Sequence, residues 1–389
     1  MNILHLSSLA LWDLGHGKGR VSSYLPIKGF VDKGHSTYFI TNNPTAKSGN
    51  IDGIVVKKIK IPYSNTHPSF NLIMYPITVF CFLFVGIIRI LKQKPEIIYA
   101  HRQDMALPAF LLSKLFNAKY VLRLYGIGGN FLKTTRFKPA NLFRWLAFKI
   151  KADLYILTND GTFADEVALT FGIPRNKIHF LKNGINKSWS KNVPNEVLKK
   201  QIAPNGEFIL LSVSRLPKWK QVDIIIKALP RLISLNNNVK LVIVGDGPEE
   251  KNLKKLCADL NITGYVVFTG ALHQEDIKDY MSIADIFISM NSLSSLSNPV
   301  FEAMICRKLV IALNKGTTKE LIENKKNGIL VEEEDIDKLP EIINDILIDN
   351  QLRERIGKNA QKYMLEGWPS WEERVAYEVE LVEKLSSNR

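Results

Sequence analysis

Short strands rich in β-branched residues alternate with helical stretches along this chain, and Gly, Pro or charge falls at each strand end. The clearest series runs LLSVSRLPKWK (210–220), LVIVGDGP (241–248), VVFTG (266–270), IADIFISM (283–290) and NPVFEAM (298–304). Strands separated by helices pair in parallel, through right-handed crossovers. The fold class is therefore α/β, and ligands are expected at the carboxyl ends of the strands.

The first half repeats the pattern. Strands are expected at 3–6, 36–41, 55–61, 96–101, 119–126 and 153–158, with helices over 21–33 and about 105–116. A polar, turn-rich stretch at 182–196 reads as a linker. It separates a first domain (1–190) from a second (191–365), and 366–389 reads as a terminal helix. A chain of 389 residues can bury two such cores.

Residues 1–190 carry 25 Lys and Arg against 9 Asp and Glu, whereas 191–389 carry 27 against 29. A basic half beside a neutral half suggests an anionic partner for the first half: a membrane surface, a phosphate-bearing acceptor or nucleic acid. Simple solubility explains the same charge. Nucleic acid ranks last, because no reader motif with interleaved aromatic and basic residues is visible. Cys81, Cys257 and Cys306 form no CxxC pair and the histidines do not cluster. No metal site or disulfide framework is expected, and a reducing, cytoplasmic setting fits. The start, MNILHLSS, reads as a buried strand rather than a signal peptide.

One segment breaks the rhythm. Between Tyr63 and Ile88 there is no Asp, Glu, Lys or Arg, and cations flank the run on both sides. A helix that packs on the domain and shows an apolar face to an anionic membrane is the reading preferred for 63–94. A purely internal helix and a spanning helix are the alternatives. Pro76 and the need for a crossover helix here both oppose the span.

Four constellations carry chemistry. LGHGKGR (14–20), with Gly15 and Gly17, follows the first strand and lets backbone approach a phosphate, or is an ordinary tight turn. Arg215 and Lys220 leave the strand ending at 213 and can clamp a diphosphate, or form a solvated basic loop. Asn298 and Pro299 open a helix whose free N–H groups suit a phosphate, with Glu302 expected in its first turn. A carboxylate there holds sugar hydroxyls, or merely suits the helix dipole. His101 ends the strand EIIYAH, where it is a polar contact, an acid/base or a structural residue.

In their order, these signals resemble the retaining glycosyltransferases of family 4. SRLPKWKQ, VGDGP, FTG, SSLSNPVFEAM, KGTTKE and NGILV (327–331) stand where that family has its second-domain motifs. HLSS, the glycine loop, KGHSTYFIT, YAH and KNGIN match its first domain. The resemblance implies a GT-B architecture: two Rossmann-like domains facing a cleft, with the last helix crossing back onto the first. It implies that Arg215 and Lys220 neutralise the donor diphosphate, Glu302 holds the ribose, and His101 lies near the transferred sugar. Gly15 and Gly17 would approach donor and acceptor, and Gly270 the base. The donor would be a nucleotide-diphosphate sugar, used without a metal. The acceptor would be a glycan or lipid-linked molecule at the inner face of the cell membrane.

The chain departs from the family at four places. Ser294 replaces a Glu that usually contacts the sugar. Ser297 stands where a Gly often faces the phosphates. Gln221 and Arg307 replace glycines after the clamp lysine and in an AxG turn. A non-catalytic GT-B binding protein and a sugar-nucleotide epimerase are therefore the competing readings.

Overall fold

The computed structural model describes residues 1–9, 21–61, 68–127 and 141–387. The glycine loop at 14–20, with Gly15 and Gly17, lies outside them. Two compact units result: Met1–Asn183 with Trp371–Arg389, and Gly184–Ser370.

The first unit runs β1 (Asn2–Ser7), α1 (Val21–Asp32), β2 (Ser36–Thr41), β3 (Gly49–Ile51), β4 (Ile54–Lys58), α2 (Pro68–Ile73), α3 (Tyr75–Lys92) and β5 (Ile97–His101). It continues with α4 (Ala106–Phe116), β6 (Lys119–Leu124), α5 (Leu142–Lys149), β7 (Leu154–Thr158), α6 (Ala164–Thr170) and β8 (Ile178–Leu181). The strands form an eight-stranded sheet in the order β3-β4-β2-β1-β5-β6-β7-β8. All its pairs are parallel except β3 with β4. That hairpin turns on Asp52 and Gly53, whose φ values of 49° and 87° match the two-residue loop that strand twist favours. The parallel pattern expected from the sequence did not include β3 or the edge strand β8.

β5 and β7 are buried at every residue because helices cover both sheet faces. On one face α3 and α4 enclose Leu4, Phe82, Leu112 and Leu122. Gly86 of α3 lies so close to α4 that an added Cβ would come 2.7 Å from Leu112 Cδ1. Phe82 is fully buried there, which favours folding by about 2–3 kcal/mol. The opposite face holds Ile3, Tyr99, Val121 and Ile156, together with Val379 and Val382 from the end of the chain.

The second unit runs α7 (Glu196–Ile202), β9 (Phe208–Val213), α8 (Val222–Leu235), β10 (Val239–Val244), α9 (Glu250–Asp259), β11 (Val266–Gly270), α10 (Gln274–Ile283) and β12 (Ile286–Ser289). Then follow α11 (Asn298–Ile305), β13 (Leu309–Leu313), α12 (Thr318–Leu321), β14 (Ile329–Val331), α13 (Leu339–Ile348) and α14 (Asn350–Gly367). Its six strands are all parallel, in the order β11-β10-β9-β12-β13-β14. Helix α8 buries Val222, Ile225, Ile226, Leu229 and Leu232, the spacing of a single helical stripe. Asn195 and Asp349 cap α7 and α14 through their side chains. The last helix, α15 (Trp371–Ser387), returns to the first unit and packs on α1, β6 and β7.

Strand order reverses between β9 and β12 in the second unit, and between β1 and β5 in the first. Crevices open at the carboxyl ends of strands at such points, so these loops form the places to search for a site.

Candidate functional site

At the second-unit switch point, β9 leads into the loop that carries Arg215. The turn after β10 braces it. Ser214 N donates to Val244 O at 3.0 Å, Leu216 N to Asp246 O at 2.8 Å, and Glu249 N to Leu216 O at 3.0 Å. Gly245 makes the approach possible, since a Cβ there would sit 1.9 Å from Ser214 O. Sequence reading quoted VGDGP as a strand end. Its structural work, holding the cationic loop, became visible only with the fold.

Arg215 is exposed, and its guanidinium has no hydrogen-bond or ion-pair partner among the described residues. One 3₁₀ turn, Lys218–Lys220, follows Pro217, and the Lys220 ammonium lies 4.7 Å from the Trp219 ring centroid. Gln221 then adopts φ 51°, a left-handed conformation that costs an L side chain about 1–2 kcal/mol. A glycine suits that position for this reason. Arg307 repeats the situation with φ 61°. Two of the four departures from the family pattern are thus places where the backbone itself asks for glycine.

The loop after β12 meets the lysine loop directly. Ser292 donates to Trp219 O from its N–H and from its hydroxyl, each at 3.1 Å. Ser294 turns inward and is 2% exposed. Its Oγ lies 3.4 Å from Thr317 Oγ1 and accepts from Leu296 N at 3.2 Å. Ser295 N donates to Thr318 Oγ1 at 2.9 Å. Hydroxyl-bearing residues thus tie this loop to the one after β13, and the Ser294 hydroxyl is part of that tie.

Ser297 is the N-cap of α11 but makes no side-chain capping hydrogen bond, and Pro299 falls in the first turn beside Asn298. The start of the helix therefore has no side-chain cap to compete with an anion. Glu302 is not in the first turn, as the sequence suggested. With Asn298 as the first helical residue, Glu302 is the fifth and begins the second turn. The dipole effect fades within the first turn, so the simplest structural explanation for this carboxylate loses force. Glu302 is half-buried, and burial raises its pKa to about 7, opposed by one hydrogen bond from Gln274 Nε2 at 3.4 Å.

Gly270 closes β11 with φ 71°. Its carbonyl accepts from Gly245 N at 2.8 Å and from Thr269 Oγ1 at 2.8 Å. Nothing lies within 4 Å of where its Cβ would be, so the backbone conformation alone calls for glycine.

At the first-unit switch point, His101 is 2% exposed. Its Nε2 shares a hydrogen bond with His5 Nδ1 at 3.0 Å, and its Nδ1 shares one with Tyr125 OH at 2.7 Å. Burial, then His5 and Arg123, hold its pKa well below the ordinary histidine value. His101 is therefore neutral, and it reaches a ligand only by exchanging one of these bonds. His5 is pushed down to about 3 by burial, although Glu378 opposes the shift.

Beside this pair lies a buried charge cluster that sequence reasoning missed. Arg123 stands over the Tyr125 ring at 4.8 Å and places Nε 3.5 Å from Glu378 Oε1. Arg374 Nη2 lies 2.7 Å from Glu378 Oε2, and Arg374 Nε donates to Lys182 O at 3.0 Å. Tyr99 OH donates to Glu378 as well. Burial pushes the Glu378 carboxyl up, but Arg123 and Arg374 win and hold it below the usual range. The signal was present in register terms: Tyr99 and His101 stand in the otherwise apolar β5, and Arg123 pairs with His101 between Leu122 and Leu124 of β6.

Two parallel Rossmann-like sheets, each with a switch point, and a last helix that returns to the first unit define the GT-B architecture. Solved structures agree: HepE of Anabaena in complex with UDP and glucose superposes with a TM-score of 0.74 at 21% identity, covering 100% of both chains. Residues 195–363 match the family described as Glycosyl transferases group 1. An uncharacterized glycosyltransferase of Methanocaldococcus jannaschii is 28% identical over 225 residues, 56% of each chain. A GDP-mannose-dependent alpha-(1-6)-phosphatidylinositol monomannoside mannosyltransferase of Mycolicibacterium smegmatis is 29% identical over 188 residues, 46% of this chain and 48% of that one. The chain spans about half the length of these curated relatives. The matches support a place in the GT-B superfamily.

Proposed function

We propose that the protein is a retaining glycosyltransferase that moves a hexosyl group from a nucleotide-diphosphate sugar to a glycan or lipid-linked acceptor. One observation carries the reading: the exposed Arg215, the half-buried Lys220 and the uncapped start of α11 all belong to loops at the second-unit switch point. Breaking the bond between the anomeric carbon and the diphosphate oxygen leaves negative charge on the diphosphate. Fixed cations and helix N–H groups stabilise that charge without reorganisation. Arg215 and Lys220 take this role in place of a metal. The Asn298 and Pro299 turn and Ser297 face the phosphates, Glu302 accepts from ribose hydroxyls, and Gly270 borders the base. The acceptor oxygen bonds to the anomeric carbon on the face the diphosphate leaves, and its proton passes to a phosphate oxygen of the leaving group. His101 takes the place near the transferred sugar that the family pattern implies, as a neutral hydrogen-bonding group.

The setting is the inner face of the cell membrane, in the synthesis of a cell-surface polysaccharide or glycolipid. The basic first half and the apolar segment at 63–94 support that part. UDP-glucose and GDP-mannose are the first donors to test, since a solved HepE structure holds UDP-glucose and a curated relative is named as GDP-mannose-dependent. The test is nucleoside diphosphate release with membrane extract as acceptor source, in the parent chain and in Lys220→Ala and Glu302→Ala. Release that stops in both variants, with their fold intact, supports the site; unchanged release in both removes it.

Ser294 favours a second reading. Its hydroxyl is engaged within the loops and carries no charge toward a sugar. A non-catalytic GT-B protein would bind a glycan yet show no nucleotide-sugar affinity by calorimetry. An epimerase would convert its donor without an acceptor.

A further inference from the structure

Helix α3 has two faces. Tyr75, Thr78, Val79, Phe82, Gly86 and Ile90 are buried. The other face, continued back to the end of α2, exposes Ile73, Ile77, Phe80, Phe84, Ile88 and Leu91. From Ile77 to Leu91 the positions recur at intervals of three and four, one stripe along α3, and Ile73 at the end of α2 keeps the same spacing. Phe80 is 67% exposed and Leu91 75%. Their neighbour α4 adds exposed Leu111 and Leu115 beside exposed Lys114. Isolated apolar residues on a surface need no explanation, but a continuous stripe does.

Charge identifies what covers it. Between residues 53 and 127 there are ten Lys and Arg, of which Arg123 is buried against Glu378, and two acids, Glu96 and Asp104. Both acids are compensated within the unit: Glu96 accepts from Asn2 N, and Asp104 lies 3.6 Å from Arg102 Nε. Exposed Lys92 and Lys94 close the stripe at its carboxyl end. An apolar ridge with a positive border fits the interface of an anionic bilayer, where apolar side chains sink below headgroups that attract the lysines.

The same helix is long and apolar enough to cross a membrane by length and composition. Its packing argues otherwise. Gly86 seats α3 against Leu112, and Phe82 is fully enclosed in the sheet's core. A span would tear that face from α4 and place it in lipid. Pro76 does not break the helix either; it occupies the first turn of α3, two residues after the N-cap Met74.

We propose that the Ile73–Leu91 stripe lies flat in the surface of an anionic membrane and anchors the first unit there without crossing it. This deepens the reading of a membrane-side acceptor, yet its evidence is independent of the transfer chemistry.

The test is co-sedimentation of the full chain with vesicles of phosphatidylcholine, with and without phosphatidylglycerol. The parent chain should sediment with the anionic vesicles, and less so when salt rises from about 0.1 to about 0.5 M. Phe80→Ser with Phe84→Ser should lower the bound fraction about tenfold, and Lys92→Glu with Lys94→Glu should remove the preference for phosphatidylglycerol. Circular dichroism verifies that each variant is folded. Equal binding by parent and variants, no binding to either vesicle, or a lipid-free dimer that Phe80→Ser with Phe84→Ser dissolves would each overturn the inference. UDP or GDP affinity in solution, measured on the same variants, separates its failure from failure of the donor site.

Discussion

The Gln274 side-chain amide donates to the Glu302 carboxylate across 3.4 Å, joining α10 to the second turn of α11. No other hydrogen bond reaches that carboxylate among the described residues. Its charge is therefore weakly supported by the protein, and burial holds its pKa near 7.

That pKa gives a pH dependence. In the proposed donor site Glu302 would accept ribose hydroxyls as a carboxylate, so donor affinity should fall as pH drops from about 8 to about 6. For stability the sign reverses. The folded pKa lies above the unfolded value of 4.5, so the group's favourable contribution is complete below 4.5 and is lost as pH rises through about 7. Glu302→Gln should flatten both profiles and raise stability at pH 8 by roughly 1 kcal/mol, a figure discounted for partial exposure. Calorimetric titration with nucleotide, and thermal melts across pH, measure the two effects. A parent affinity that does not change between pH 6 and 8 would contradict the role given to Glu302.

Left-handed backbone at Gln221 and Arg307 predicts a gain from glycine at the first position and almost no net change at the second. Gln221→Gly relieves about 1–2 kcal/mol of strain, against about 0.4–1 kcal/mol lost to a more flexible unfolded chain. It also removes a buried amide oxygen that has no hydrogen-bond partner among the described residues. A melting temperature higher by about 2–4 °C is expected. Arg307→Gly also forfeits the ion pair with Glu354, so its net effect should lie within about 0.5 kcal/mol of zero. A loss of stability in Gln221→Gly would show that the side chain does something the strain argument omits.

Glu378 holds two arginines in the first unit, and its pKa is depressed. Stability from this group is present above its unfolded value of 4.5 and disappears as pH falls through the lower folded value. Glu378→Gln should therefore remove part of the acid sensitivity of the first unit. At neutral pH the same variant leaves Arg123 and Arg374 buried beside a neutral amide, at a cost of about 3–5 kcal/mol. Urea melts at pH 4 and pH 7 check both signs. Equal destabilisation at the two pH values would assign the effect to packing.

The fold was legible in the sequence because parallel α/β units write their strands as apolar runs ending in Gly, Pro or charge. LVIVGDGP and IADIFISM needed little else. β8 escaped because IHFL, at residues 178–181, is a half-buried edge strand with no distinct run. β3 escaped although Asp52-Gly53 between Ile51 and Ile54 is a hairpin signal. In the candidate site, Arg215 and Lys220 could be read from their spacing after a strand. The partners of His101 could not, since His5, Tyr125 and the Glu378 cluster come together only through strand register and the return of α15. The turn occupied by Glu302 was misjudged by one because nothing in SSLSNPVFEAM fixes which residue caps the helix.

The most direct test of the donor site is calorimetric binding of UDP and GDP to the parent chain, to Arg215→Ala and to Lys220→Ala. The parent should bind one of the two, and each substitution should weaken that binding at least about tenfold, since each removes a charge-assisted contact to the diphosphate. Parent-like affinity in both variants, or no affinity for either nucleotide in a folded parent chain, would contradict it.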